Sequence, residues 1–155
     1  MAELAPGEKA PDFTLPRDGG GTISLSQFRG RPVVLFFYPK DDTEACTIEA
    51  KDFTAAKADF DAAGIALIGL SPDPVKKHDR FVKKHGLGVP LASDEGLETL
   101  EAYGVWKEKS MYGRTYMGVE RTTVLVDAAG GIAEIWPKVK VKGHVEAVLE
   151  AAKKL

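Results

Sequence analysis

Two continuous apolar runs place the strongest constraint on the fold of this chain. They are PVVLFFY at residues 32–38 and IALIGLS at residues 65–71. Each is rich in β-branched and aromatic residues and predicts a strand that is buried on both faces. Between the runs, apolar residues recur at spacings of three and four, as expected for one face of a helix. These residues are Cys46, Ala50, Phe53, Ala56 and Phe60.

The rest of the chain adds elements to this strand–helix–strand unit. A short strand or hairpin is expected around residues 13–15, and a Lys-rich helix is expected to end at Gly86. VPLASD predicts a short strand, and EGLETLEAYG predicts a short helix. ERTTVLVD and IAEIW together predict a hairpin, and HVEAVLEAAKKL predicts a terminal amphipathic helix. Residues 104–119 have no clean period and are predicted to form a long loop. The lysines of KVKVK, residues 138–142, are expected on one face of an extended edge segment.

This order of elements predicts an α/β fold in which helices flank a mixed central sheet. It is the order of a thioredoxin-like fold with additions. The length of 155 residues suits one domain, spanning 1–155. A domain of this size buries enough surface to fold without a metal or a disulfide.

Charge and hydropathy exclude several classes of partner. The net charge of −2 gives no general attraction to nucleic acid or to anionic membranes. No apolar stretch approaches the length of a membrane span, and MAELAPGEKAPDF lacks the apolar core of a signal peptide. We therefore expect the protein in the cytoplasm, where thiols remain reduced. The single cysteine excludes an internal disulfide and a multi-cysteine metal site.

The position of that cysteine, Cys46, suggests reactivity. It falls in the first turn of the predicted helix if Thr43 is the N-cap residue, and helix N-terminal N–H groups stabilise an anion such as a thiolate. The carboxyl end of a buried parallel strand is also where α/β sheets place ligands. The position alone leaves two interpretations open, because many cysteines are simply buried apolar residues.

Three further residues have both structural and functional interpretations. Thr43 is explained as a helix cap, and its hydroxyl also suits a contact with the Cys46 sulfur or a substrate oxygen. Pro39 ends the strand and would also shield the thiol from water. Arg121 precedes the strand of residues 122–126, where it is either a solvated strand end or a fixed cation beside the thiolate.

Three segments together resemble the peroxiredoxin family. YPKDDTEACTIEAKDF carries the family's Pro-x-x-x-Thr-x-x-Cys motif at Pro39, Thr43 and Cys46. YGVWKEKSMYGRTYMGVERTTVLVD and GEKAPDFTLP are similar to segments of the bacterioferritin-comigratory, or peroxiredoxin Q, subfamily. The resemblance extends over nearly the whole chain. It implies a thioredoxin-like fold with peroxiredoxin additions, and a thiol-dependent peroxidase that reduces hydrogen peroxide and organic hydroperoxides.

The resemblance also implies a role for each matching residue. Cys46 corresponds to the cysteine that attacks peroxide and becomes a sulfenic acid. Thr43 corresponds to the residue that holds the thiolate and substrate, Arg121 to the active-site arginine, and Pro39 to the shielding proline. Glu49 corresponds to a glutamate that orients the arginine, although an exposed helix carboxylate would also explain it. No cofactor or metal is implied.

One departure from the subfamily concerns the resolving cysteine, which many members carry five residues after the first. Lys51 occupies that position here, and the following helix also lacks a cysteine. The chain therefore resembles a one-cysteine type whose sulfenic acid an external thiol reduces: thioredoxin, glutaredoxin or a low-molecular-weight thiol. We expect a monomer or a weak homodimer. Glu44-Ala45 also replaces the usual Pro-Gly before the cysteine.

Two other classes of function compete with a peroxidase. A Cys-His hydrolase needs a histidine beside Cys46, and none is predicted there. A binding module on the same fold would leave Cys46 inert. His78, His85 and His144 are predicted to be surface residues without a metal-binding role.

Overall fold

The computed structural model describes residues 4–155. In this range the chain forms nine strands, one 3-10 helix at Leu25–Phe28 and four α-helices. The strands are β1 (Thr14–Pro16), β2 (Thr22–Ser24), β3 (Val33–Phe37), β4 (Ala66–Ser71), β5 (Leu91–Ser93), β6 (Trp106–Met111), β7 (Arg114–Val119), β8 (Thr122–Val126) and β9 (Ile132–Trp136). The helices are α1 (Glu44–Ala62), α2 (Val75–His85), α3 (Glu98–Ala102) and α4 (His144–Lys153).

A five-stranded mixed sheet forms the centre of the molecule, with the strand order β5-β4-β3-β8-β9. β3 pairs in parallel with β4, and β4 with β5. β3 pairs antiparallel with β8, and β8 with β9. The predicted α/β fold with a mixed central sheet is therefore confirmed, as are the two buried strands that the apolar runs predicted.

Alternate residues of β3 face two separate apolar clusters, one on each side of the sheet. Val34 and Phe36 pack in the cluster that contains the apolar face of α1, whereas Leu35 and Phe37 pack in the other. Phe36 stacks on Phe53 of α1, with ring centroids 4.5 Å apart. Burial of these side chains stabilises the fold. It fixes α1 on the sheet along the part of the helix that follows the first turn.

The segment of residues 104–119 is a β-hairpin, so the prediction of a long loop was wrong. β6 and β7 pair antiparallel, with Lys109 opposite Tyr116. Tyr112 and Gly113 form the turn at φ values of 53° and 77°, as in a two-residue turn that twists with the strands. The apolar alternation that marks a half-buried strand is missing, because most residues towards the tip of this hairpin are exposed.

Residues 138–142 do not form an edge strand, so that expectation was also wrong. β9 ends at Trp136, and Lys138 has a φ of 49°, in the left-handed region. The chain turns there towards α4, and the N–H of Val139 donates a 2.9 Å hydrogen bond to the carbonyl of Arg121. The segment therefore supports the backbone at Arg121.

Candidate active site

The junction between β3 and α1 holds the cysteine. β3 ends at Phe37 and α1 begins at Glu44, with Thr43 as its N-cap residue. Cys46 therefore lies in the first turn of α1, as predicted, and its side chain is only 2% exposed. It is a member of the apolar cluster that packs α1 on the sheet.

Strand pairing brings Arg121 to this junction. Phe37 at the end of β3 lies opposite Thr122 at the start of the antiparallel strand β8. Arg121 directly precedes β8, and its Nη2 donates a 3.2 Å hydrogen bond to the Sγ of Cys46. Within residues 4–155 this is the one hydrogen bond to that sulfur. The sulfur, which is nucleophilic in its thiolate form, therefore has a cationic hydrogen-bond donor beside it.

Glu49 lies one helical turn beyond Cys46 and anchors the same guanidinium. Its Oε1 accepts a 2.7 Å hydrogen bond from the Nη1 of Arg121, and its side chain is fully buried. Glu49 is therefore not the exposed helix carboxylate that would otherwise explain this position. Burial raises the pKa of Glu49 to about 7, although Arg121 acts in the opposite direction. Its Oε2 is buried without a hydrogen-bond partner in the described part of the chain.

Thr43 and Pro39 lie in the loop that leads to Cys46, but neither is hydrogen bonded to the sulfur. Thr43 has the backbone geometry of an N-cap, yet its hydroxyl donates a 2.8 Å hydrogen bond to the carbonyl of Lys40 and makes no side-chain cap. Pro39 is half-buried. The hydroxyl of Thr43 thus stabilises the loop, while its oxygen lone pairs remain available to accept.

A buried polar network, which the sequence did not reveal, fixes this loop against α2. The hydroxyl of Tyr38 donates to Asp41 at 2.6 Å, and the other carboxylate oxygen of Asp41 lies 2.6 Å from Nδ1 of His78. Nε2 of His78 is 3.0 Å from the carbonyl of Ala92, which only accepts, so this nitrogen carries a proton. His78 has no exposed surface. The prediction that His78 lies on the surface was wrong, because its ring has two polar partners in the protein interior.

His144, the first residue of α4, was also predicted on the surface and is buried instead. Its Nε2 lies 2.8 Å from the hydroxyl of Thr123, two residues beyond Arg121. Burial, together with the positive charge of Arg121, lowers the pKa of His144 to about 4. No histidine in residues 4–155 is hydrogen bonded to Cys46, so the structure does not supply the base that a Cys-His hydrolase needs.

Two negative findings apply to residues 4–155 only. No helix there is long and apolar enough to cross a membrane. No group of three or more histidine, cysteine, aspartate or glutamate side chains is arranged to hold a metal ion in that range.

Comparisons with known proteins identify the family of the chain. Residues 6–135 match the AhpC/TSA family. The chain is 47% identical to a putative peroxiredoxin bcp of Coxiella burnetii, over 92% of this chain and 95% of that protein. It is 45% identical to peroxiredoxin Bcp of Bacillus subtilis, over 95% and 94% of the two chains.

A solved structure gives the same result. The fold superimposes on Xanthomonas campestris bacterioferritin comigratory protein, which was studied for alkyl peroxide reduction, with a TM-score of 0.90 and 41% identity. The match covers 97% of this chain and 98% of the other. The chain therefore belongs to the AhpC/TSA family, and within it to the Bcp peroxiredoxins, which makes it a thiol-dependent peroxidase.

Proposed function

We propose that Cys46 is the residue that attacks peroxide. The observation that carries this proposal is the 3.2 Å hydrogen bond from Arg121 to its sulfur, in the first turn of a helix. The thiolate attacks the terminal oxygen of a hydroperoxide, so that an S–O bond forms and the O–O bond breaks. The products are a sulfenic acid on Cys46 and an alkoxide or hydroxide.

The surrounding residues stabilise the charge that moves during this step. Arg121 is held by Glu49 before substrate arrives, so it does not reorganise as negative charge passes from sulfur to oxygen. Thr43 contributes through the loop it fixes and as an acceptor for a peroxide O–H group. The ring of Pro39 screens the thiol from water.

The substrates that we propose are hydrogen peroxide and organic hydroperoxides, and the reductant is an external thiol. Lys51 is exposed on α1 and carries no sulfur, so the chain offers no second thiol of its own. Thioredoxin, glutaredoxin or a small thiol would reduce the sulfenic acid through a mixed disulfide. We further propose a single domain in the cytoplasm, active as a monomer or a weak homodimer.

Rapid mixing with hydrogen peroxide tests the proposal. We expect the free thiol of Cys46 to disappear in a second-order reaction that consumes one peroxide per chain. Cys46→Ser should abolish peroxide consumption while circular dichroism shows an unchanged fold. Full peroxidase activity in a folded Cys46→Ser variant would move the reaction to another residue.

A further inference from the structure

The helix α2 carries a concentration of positive charge that the mechanism above does not use. It holds five lysine or arginine residues and one aspartate, which gives the helix a charge of +4 and leaves −6 for the rest of a chain whose net charge is −2. The five cations are Lys76, Lys77, Arg80, Lys83 and Lys84. This contrast makes α2 attractive to acidic partners, although the chain as a whole is slightly acidic.

Four of these cations line an open groove beside the loop that leads to Cys46. The groove has a volume of about 640 Å³ and lies between α2 and the loop of residues 38–43, which joins β3 to α1. We call it the α2 groove. Its charged lining consists of Lys77, Arg80, Lys83 and Lys84 on α2 and of Asp41 and Asp42 on the loop. Cations outnumber carboxylates in this lining, so the α2 groove is net positive.

Two residues of α2 contact the loop directly. Nζ of Lys84 lies 2.7 Å from Oδ2 of Asp42, and Nε2 of His85 lies 2.8 Å from its Oδ1. Asp42 has a φ of 61°, in the left-handed region that few residues other than glycine adopt. It directly precedes Thr43, the N-cap residue of the helix that carries Cys46. One continuous segment of chain therefore joins the α2 groove to the first turn of α1.

Arg80 and Lys83 are the cations of the α2 groove that remain available to an external anion. Both are exposed, and neither forms an ion pair within residues 4–155, whereas Lys77 lies 3.4 Å from Asp73. Exposed charges add little to affinity, but complementary charge speeds the encounter of two proteins. The surface therefore suits a transient partner better than a permanent one.

Cys46 lies within the reach of a protein that sits on the α2 groove. Four residues of chain separate Asp42 from Cys46, so their Cα atoms are at most about 14 Å apart. An interface of usual size covers about 800 Å² on each partner, and a round face of that area is about 30 Å across. The cations also extend about 12 Å along the helix axis, from Lys76 to Lys84. A row of this length matches a protein surface better than a single small anion.

We propose that the α2 groove is the docking surface for the thiol donor, and that the donor is a protein dithiol with an acidic surface beside its reactive cysteine. This inference rests on the proposed function, in which an external thiol reduces the sulfenic acid on Cys46. The charges of the α2 groove act on the encounter with the donor and not on the attack of Cys46 on peroxide.

The docked donor completes the catalytic cycle in two steps. Its first thiolate attacks the sulfur of the sulfenic acid, so that an S–S bond forms, the S–O bond breaks and the oxygen leaves as water. Its second thiolate then attacks the donor sulfur of this mixed disulfide and releases Cys46. The donor is oxidised to a disulfide, and its two thiol protons go to the water and to Cys46.

Charge reversal on α2 tests the proposal in the reductive half of the cycle alone. Cys46 is first oxidised with one equivalent of hydrogen peroxide, and its reduction by an acidic thioredoxin and by an acidic glutaredoxin is then followed by rapid mixing. Arg80→Glu/Lys83→Glu should slow the faster of these reductions by about 10-fold or more at low ionic strength. Salt at about 0.5 M should remove most of the difference. Oxidation by hydrogen peroxide and reduction by uncharged dithiothreitol should stay near the wild-type rates.

Lys153→Glu/Lys154→Glu is the matched control, because it makes the same change in net charge at exposed positions at the end of α4. It should be reduced at the wild-type rate. Equal losses in the two double variants, or no loss in the α2 variant, would overturn the proposal. A wild type that dithiothreitol reduces and both proteins fail to reduce would also overturn it.

Mercaptosuccinate, a small dianionic thiol, separates a protein docking surface from a site for small anions. The α2 variant should lose little of its rate with this thiol. A loss as large as with the protein donors would assign the α2 groove to small anionic thiols and overturn the proposal. Failure of every thiol to reduce oxidised Cys46 would instead refute the proposed function, so the two failures are distinguishable.

Discussion

Glu49 and Arg121 meet inside the protein, where Oε1 of the fully buried carboxylate accepts a 2.7 Å hydrogen bond from Nη1. The second guanidinium nitrogen of Arg121 reaches the sulfur of Cys46 at 3.2 Å. Together, the charges of Glu49 and Cys46 outweigh the effect of burial and raise the pKa of Arg121. The arginine is therefore a fixed cation that links the buried carboxyl group of Glu49 to the sulfur of Cys46.

Removal of this cation should slow the peroxide reaction. We expect Arg121→Met to reduce the second-order rate of Cys46 oxidation by about 10²–10³-fold, the usual effect of one preorganised donor. Arg121→Lys should recover only part of the loss, because an ammonium cannot contact Glu49 and Cys46 with the same planar fork. Stopped-flow measurements with hydrogen peroxide test both variants. A wild-type rate in folded Arg121→Met would exclude the proposed role.

Substitution of Thr43 tests whether its hydroxyl stabilises the loop, contacts the substrate or does both. Thr43→Val removes the 2.8 Å hydrogen bond to Lys40 and should lower the free energy of unfolding by about 1 kcal/mol. It should also slow peroxide attack, whereas Thr43→Ser should retain most of both properties. Urea denaturation and stopped-flow rates separate the two effects. A loss of stability without any loss of rate would assign the hydroxyl to the loop alone.

The burial of Glu49 makes stability depend on pH. Its pKa is about 7 in the folded protein, against an ordinary value of 4.5. The folded state therefore binds this proton more tightly than the unfolded state, and its stabilising effect is lost as pH rises through about 7. The loss between acidic and alkaline pH amounts to about 3 kcal/mol.

Glu49→Gln should remove this dependence while it keeps an acceptor for Arg121. Urea denaturation at about pH 5 and about pH 8 tests the prediction, because the wild type should lose stability relative to the variant between the two. Every other titrating group is common to both proteins, so their difference isolates Glu49. Parallel pH profiles for the two proteins would contradict a raised pKa at this position.

The buried pair Asp41–His78 should contribute strongly to stability. Asp41→Asn replaces the carboxylate that lies 2.6 Å from Nδ1 of the buried His78 ring, and a buried polar group that loses its partner typically costs about 1–3 kcal/mol. Lys57→Ala is the matched control, because it breaks an exposed ion pair with Asp61 at 2.6 Å and should cost about 1 kcal/mol or less. A similar small loss of unfolding free energy in both variants would show that the Asp41–His78 contact contributes little to stability.

The sequence predicted the elements whose apolar residues repeat locally. β3, β4 and α1 follow from such runs, and the first-turn position of Cys46 follows from them in turn. The β6–β7 hairpin was missed because its exposed residues carry no apolar period. His78 was misplaced because a polar ring enters the core only when distant residues, here Asp41 and Ala92, supply its hydrogen bonds.

The site itself depends on contacts between distant parts of the chain. Arg121 lies 75 residues from Cys46, and only the antiparallel pairing of β3 with β8 brings the two together. No spacing within the sequence encodes that pairing. The resemblance to peroxiredoxins supplied the expected partners, but it gave no indication that His144 contacts the hydroxyl of Thr123, since His144 lies outside the segments that carry the resemblance.

Turnover should depend on an external thiol, since the chain has one sulfur nucleophile and Lys51 occupies the position five residues beyond it. Without reductant we expect about one equivalent of peroxide consumed per chain. The resulting sulfenic acid should react with dimedone, and excess peroxide should carry it to the irreversible sulfinic acid. Mass spectrometry after one equivalent distinguishes these species from a covalent dimer.

Lys51→Cys examines whether an internal partner can replace the donor. Residues five apart on an intact helix point in different directions, so the first turns of α1 must open before the two sulfurs meet. We therefore expect slow formation of an internal disulfide and partial protection of Cys46 from overoxidation. Lys51→Ser is the control and should remain as sensitive to excess peroxide as the wild type. Stoichiometric dimerisation of the wild type through Cys46, without a sulfenic acid or donor adduct during turnover, would overturn the one-cysteine mechanism.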